Sequence, residues 1–191
     1  MATFAHEMLA HIGQLTTISS GLRAELQLRA TVQEVAKGKF LHRAGTVCNR
    51  TFFITKGLIR SYYEKGEKEV TDFFAAEGSW ITATESFMSN QPDQTYLQAL
   101  EPSTVCALTN TDLLYLFEQF PEMERFGRIT ISQQFVQQST RLTVLRFSSA
   151  SDKYAHFCAA YRPILPRLPL GMVASFLGIT QETLSRVRSR T

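Results

Sequence analysis

The sequence predicts an α+β protein: an N-terminal antiparallel β-roll (a double-stranded β-helix) flanked by short helices, a long connecting helix and a C-terminal helix-turn-helix. Three observations carry this. Short apolar runs cornered by glycine recur between Thr31 and Thr109, at the roughly ten-residue spacing of rolls and jelly rolls. A proline-free stretch with helical spacing runs from Glu122 to Ser148. The last stretch, Leu170 to Arg190, sets a turn glycine and a capping residue between two short amphipathic runs. The expected division is residues 1–120 for the helices and roll, 121–149 for the long helix and 150–191 for the terminal domain.

Taken in order, Phe4, Met8 and Ile12 recur four apart, and Leu22, Leu26 and Arg29 follow after the Thr16–Ser20 break, so residues 3–30 read as helical. Strands are expected at Thr31–Val35, Phe40-Leu41, Thr51–Ile54, Leu58–Tyr63 and Val70–Phe74, with Glu64-Lys65-Gly66-Glu67 as a turn. Tyr96–Leu100 and Thr104–Thr109 close the roll, and Asn110-Thr111-Asp112 caps a helix. Pro121 then opens the long helix, as an N-terminal proline can. Two apolar stripes lie on it, Phe126, Ile129 and Val136 against Ile131, Phe135, Leu142 and Leu145. One packs on the roll and the other meets a second subunit; the expected seam runs through Ile129 and Val136. Asp152–Arg162 is a further helix, and Pro163, Pro166 and Pro169 punctuate the link beyond it.

The terminal motif is the most specific. Val173 and Leu177 share one helical face, and Ala174 sits where two helices cross closely. Gly178 supplies the left-handed turn, Ile179 plugs it, and Thr180 caps the second helix, with Glu182 near its positive end. Leu184 and Val187 face inward. That leaves Thr180, Gln181, Glu182, Ser185, Arg186 and Ser189 outward, with Arg188 and Arg190 flanking as phosphate contacts. An apolar plug behind and a hydrogen-bonding row in front are what a helix laid in a major groove requires.

Charge agrees with that placement. Residues 1–140 carry 12 basic and 15 acidic side chains, whereas residues 141–191 carry 8 basic and 2 acidic, so an acidic front precedes a tail of net +6. Such a tail suits a polyanion. No signal segment is legible at the N-terminus, and no apolar run reaches the ~20 residues of a bilayer span. The expectation is a cytoplasmic chain without a membrane partner. Cys48, Cys106 and Cys158 are scattered, which reads as free thiols, and the four histidines form no ligand pair. No metal, cofactor or catalytic residue is therefore expected, and an enzyme of cupin type lacks its ligands.

These features together resemble the Crp/Fnr superfamily of bacterial transcription regulators. The resemblance covers about Gly21 to Arg190. Its carriers are Lys37-Gly38-Lys39-Phe40-Leu41, Gly45 with Phe52-Phe53-Ile54, Lys56-Gly57-Leu58-Ile59-Arg60, and Ala174, Gly178-Ile179-Thr180 and Leu184-Ser185-Arg186. It implies a cyclic-nucleotide-binding-type roll, a homodimer built on the long helix, and a recognition helix whose Gln181, Glu182 and Arg186 touch base edges of a two-fold site. The partners it implies are double-stranded DNA, a second copy, RNA polymerase and a small-molecule effector.

Two departures qualify what the resemblance implies. Cyclic-nucleotide binders of this type carry a glutamate and, about ten residues on, an arginine for the phosphate. Here Glu85 stands as the candidate glutamate, and Asp93-Gln94 occupy the arginine's place. A phosphodiester loses its bidentate cation there, so cyclic AMP is not the expected effector. The oxygen-sensing branch uses an N-terminal cysteine cluster, and no cysteine precedes Cys48. The roll interior is expected to face Tyr62, Phe73, Trp80, Glu85 and Thr95, with Gln94 beside them, while the long helix offers Gln134, Gln138 and Arg141 as further effector contacts. A rival function is a ligand-sensing module that regulates a protein partner without binding DNA.

Overall fold

β3 (Arg50–Lys56) shows how the roll is built. Its five central residues are all buried, as expected of a strand covered on both faces. Because side chains alternate, Phe52 and Ile54 join one apolar cluster with Val35, Ile59, Leu97, Ala99 and Val105. Phe53 points the other way, into a second cluster with Met8, Ile12, Leu22, Leu26, Leu116, Met123 and Phe126. The first cluster fills the roll, and the second seats its helices.

The computed structural model describes residues 2–189. Helices α1 (Ala2–Leu15) and α2 (Ser20–Arg29) come first, then β1 (Thr31–Val35), β2 (Phe40–His42), β3, β4 (Leu58–Lys65), β5 (Lys68–Ala76), β6 (Trp80–Ile81), α3 (Thr84–Ser89), β7 (Tyr96–Ala99) and β8 (Ser103–Thr109). The strands form two four-stranded sheets, ordered β1-β8-β3-β6 and β2-β7-β4-β5. β3 and β4 meet at Gly57, where φ is 103° and an added Cβ would fall 2.1 Å from Ser103 Oγ and 2.7 Å from Ser103 Cα. Only glycine satisfies both the turn and that approach.

Three elements depart from the sequence reading. β6 pairs two residues, Trp80 and Ile81, with Phe53 and Phe52, too short a run to show a period. α3 fills the stretch that precedes Asp93. α4 (Asn110–Gln119) is capped by Thr109 rather than by the Asn110-Thr111-Asp112 run: Thr109 Oγ1 accepts from the Asp112 N–H at 3.0 Å.

α5 (Pro121–Phe147) is the long helix. Met123, Phe126 and Gly127 are buried at its start, and Ile129 is half-buried. Beyond them Ile131, Phe135, Val136 and Leu142 are 61, 75, 62 and 51% exposed. Of the expected seam, Val136 is exposed and Ile129 half-buried, and Ile131, Phe135 and Leu142 form a second exposed row. Two compact units result, one reaching Tyr63 and resuming at Phe73–Ile131, the other made of Glu64–Asp72 and the chain from Ser132 onward. The boundary falls inside α5, and a hairpin tip joins the second unit, neither of which the division at residues 120 and 149 anticipates.

Candidate nucleic-acid interface

The second unit carries α6 (Ala150–Tyr161), a 3-10 turn over Arg162–Arg167, α7 (Leu170–Leu177) and α8 (Gln181–Arg188). Ser149 caps α6, its hydroxyl accepting from Asp152 N–H at 3.2 Å. Phe157 of α6 is fully buried and packs on Phe176 at a ring separation of 5.0 Å, with Tyr161 closing the group. Val173, Ala174, Phe176, Leu177 and Leu184 are all buried beside it. This apolar group holds the two short helices, neither long enough to be stable alone in water.

The turn between them has the expected chemistry. Gly178 adopts φ 64° and ψ 34°, the left-handed region. Ile179 N–H bonds the Ala174 carbonyl at 3.1 Å and Gly178 N–H the Ser175 carbonyl at 3.2 Å, so the end of α7 is closed by main chain. Thr180 Oγ1 then accepts the Thr183 N–H at 3.2 Å and caps α8; a cap of this kind stabilises a helix by about 1 kcal/mol. The Thr180 hydroxyl and the helix-start backbone hold the Glu182 carboxyl below its usual value.

Thr180, Gln181, Glu182, Ser185, Arg186, Arg188 and Ser189 are exposed, while Leu184 beneath them is fully buried. The structure thus brings the proposed reading residues onto one helix and its cap. Arg186 Nε donates back to the Glu182 carbonyl at 3.4 Å. Gln181 lies against α7: a Cβ on Gly171 would meet its amide nitrogen at 2.7 Å, so that glycine makes room for it. Arg188 reaches the Tyr154 hydroxyl, which also bonds Cys158; the thiol, then burial, pushes the phenol above its ordinary value. Sequence reasoning missed this Tyr154–Cys158–Arg188 group, because nothing in the spacing joins α6 to the end of α8. Arg190 lies outside the described residues.

The residues proposed to line an effector site are not gathered by the roll. Ile59 and Leu97 point inward, so alternation turns Tyr62 to the opposite face, where it stacks on Tyr96 at 4.9 Å and 10°. Trp80 packs into the helix-side cluster against Phe53 and Phe126. Glu85 is exposed on α3. Of the five, Phe73 alone is packed against the interior cluster. Gln94 is exposed and Thr95 half-buried on the approach to β7, where Thr95 N–H bonds Asp93 Oδ1 at 3.1 Å. Gln134, Gln138 and Arg141 belong to the second unit. There Arg141 pairs with Asp72 at 2.8 Å and bonds Gln138 Oε1 at 3.3 Å.

Asp93 is the informative residue of the stretch between α3 and β7. Its side chain is 1% exposed and meets His42 Nε2 at 3.0 Å. Burial raises the carboxyl's pKa, but hydrogen bonds from His42 and Thr95 outweigh it and hold the group below its usual value. The ionised carboxylate accepts, so His42 Nε2–H donates. The Asp93 side chain is thus turned into the protein and serves β2. Among the described residues no three His, Cys, Asp or Glu side chains gather as a metal site, and no helix is long and apolar enough to cross a membrane.

Comparison with known proteins agrees with this architecture. Residues 32–120 match the cyclic nucleotide-binding domain family. The Fumarate and nitrate reduction regulatory protein of Yersinia pestis is 27% identical over 169 residues, which cover 82% of this chain and 66% of that protein. The chain therefore spans just under two thirds of that relative's length. Among solved structures, FixK2 from Bradyrhizobium japonicum superposes with a TM-score of 0.74 at 16% identity, covering 84% of this chain and 83% of that one. A protein assigned to the Crp/Fnr family from Eubacterium rectale gives 0.70 at 13% identity, covering 91 and 83%. In fold the chain is similar to these solved structures, and over residues 32–120 to the cyclic nucleotide-binding domain family.

Proposed function

We propose that the chain is a sequence-specific DNA-binding transcription regulator that acts as a homodimer and does not use cyclic AMP as its effector. The observation that carries the reading is α8. Its capped start and exposed Gln181, Glu182, Ser185 and Arg186 rest on buried Leu184, an arrangement suited to the major groove. The basic balance of residues 141–191 supplies attraction to phosphates, so binding to duplex DNA should weaken as salt rises. A relative named as a regulatory protein is consistent with this. The rival, regulation of a protein partner, does not account for an arginine-bearing row on a capped helix.

Arg186 follows Glu182 by one helical turn and can present its fork to a guanine O6/N7 pair. Arg186→Ala should cost about 1–3 kcal/mol at the preferred site and relax preference at one base per half-site. Titration against the preferred site and its single-base variants measures this; full retention of preference removes Arg186 from the reading set.

Cyclic AMP should give no saturable heat by calorimetry at millimolar concentration. Asp93 offers a carboxylate, already committed to His42, where a phosphodiester needs a cation. DNA affinity should be unchanged by the nucleotide. Tight binding would show that another cation reaches the phosphate.

A further inference from the structure

The tip of the β4–β5 hairpin, Glu64–Asp72, belongs to the same unit as α7 and α8, and contacts within that unit hold it there. Ser175 of α7 accepts a hydrogen bond from the Thr71 N–H at 2.9 Å and donates to the Glu69 carbonyl at 2.9 Å. Residues two apart on a strand present their main-chain groups to the same side, and β5 ends its sheet. One hydroxyl therefore stands where a further strand would pair. A helix serine commonly bonds back to the preceding turn of its own helix; this one is spent on the hairpin, between Ala174 and Phe176, which are buried.

The next residue of the strand completes the tie. Asp72 Oδ1 accepts from Arg141 at 2.8 Å, and the Arg141 guanidinium lies 4.4 Å from the Phe176 ring centroid. Arg141 is on α5, adjacent to Leu142 of the exposed apolar row, and Phe176 follows Ser175 on α7. The hairpin tip is thus held to α7 through Ser175 and to α5 through Asp72, with Arg141 touching both the tip and α7.

We infer that Ser175 is a positioning residue for DNA reading: by seating the hairpin tip it fixes the angle between the dimer-forming stretch of α5 and the helix-turn-helix, and so the separation of the two reading helices. The inference rests on the proposed DNA-binding homodimer. None of these contacts uses Gln181, Glu182, Ser185 or Arg186, and these stay exposed with the tie in place. The tie orients the reading face without covering it. Loosening it lowers the effective concentration of the second half-site once the first is bound, without changing the contacts made at either.

The test uses the full chain and two duplexes: the two-fold site that the wild type selects from a random library, and one half-site cut from it. Ser175→Ala should lose about tenfold or more in affinity for the full site while its half-site affinity stays within about twofold. It should also discriminate less than the wild type against sites whose halves are moved about 2 base pairs apart. Ser175→Thr, which keeps the hydroxyl, should restore spacing discrimination, and Asp72→Asn should loosen it by the second contact, which covers the case in which Ser175→Ala does not fold. Equal losses on both duplexes, or unchanged spacing discrimination in both loosened variants, overturn the inference. If the wild type selects no two-fold site, the underlying reading fails, and the inference with it.

Discussion

Replacing Phe135 and Leu142 together by aspartate should leave a folded monomer that binds a two-fold DNA site about 100-fold or more weakly, because the second half-site no longer benefits from the first. Both side chains are more than half exposed on α5, and Ile131 continues their row. Spacings of four and seven residues place the three along one seam, the arrangement by which two helices bury a stripe against each other. Carboxylates there would face like charges across the two-fold axis. The packed part of α5, with Met123 and Phe126 in the core, is untouched, so the melting temperature at dilution should hardly move. Light scattering of the variant and the wild type measures this. A variant that remains dimeric places the interface elsewhere.

Asp93→Ala should destabilise the protein by about 3 kcal/mol, the size of effect seen when one partner of a buried polar pair is removed. The change strands His42, which is 3% exposed, and removes the acceptor for Thr95 N–H. A sign follows for pH. The folded carboxyl ionises below its usual value, so its contribution is complete above about pH 4 and fades as pH falls through the folded value. Denaturant titrations should therefore show the wild-type advantage over Asp93→Ala at neutral pH and its loss in strong acid. An advantage that persists undiminished in strong acid would mean that the ionised Asp93 carboxylate is not what stabilises this loop.

Legibility differed by element, for physical reasons. The terminal domain was readable because its steric demands are local: Gly178 in a left-handed turn, Thr180 as a cap, Leu184 beneath a polar row. The roll's strands were readable from glycine corners, yet the residues meant to line it were not. Assigning Tyr62 and Trp80 to the interior needs the pairing register, and one residue's shift exchanges the faces. The two stripes on α5 were both visible; which one packs is decided by what the first turns of the helix bury, and that is tertiary. His42 and Asp93 lie 51 residues apart, and the Ser175 tie spans more than 100. No local pattern announces such contacts. A serine between Ala174 and Phe176 was a faint signal, since a polar side chain in an otherwise apolar turn calls for a partner.

Selection of bound duplexes from a random-sequence library by the purified wild-type chain, without added nucleotide, tests the central claim most directly. The account predicts enrichment of a two-fold symmetric sequence whose half-sites lie about 10 base pairs apart centre to centre, or a multiple of that, with affinity falling steeply as salt rises. Failure to enrich any sequence, or enrichment of a site with no two-fold repeat, would contradict it.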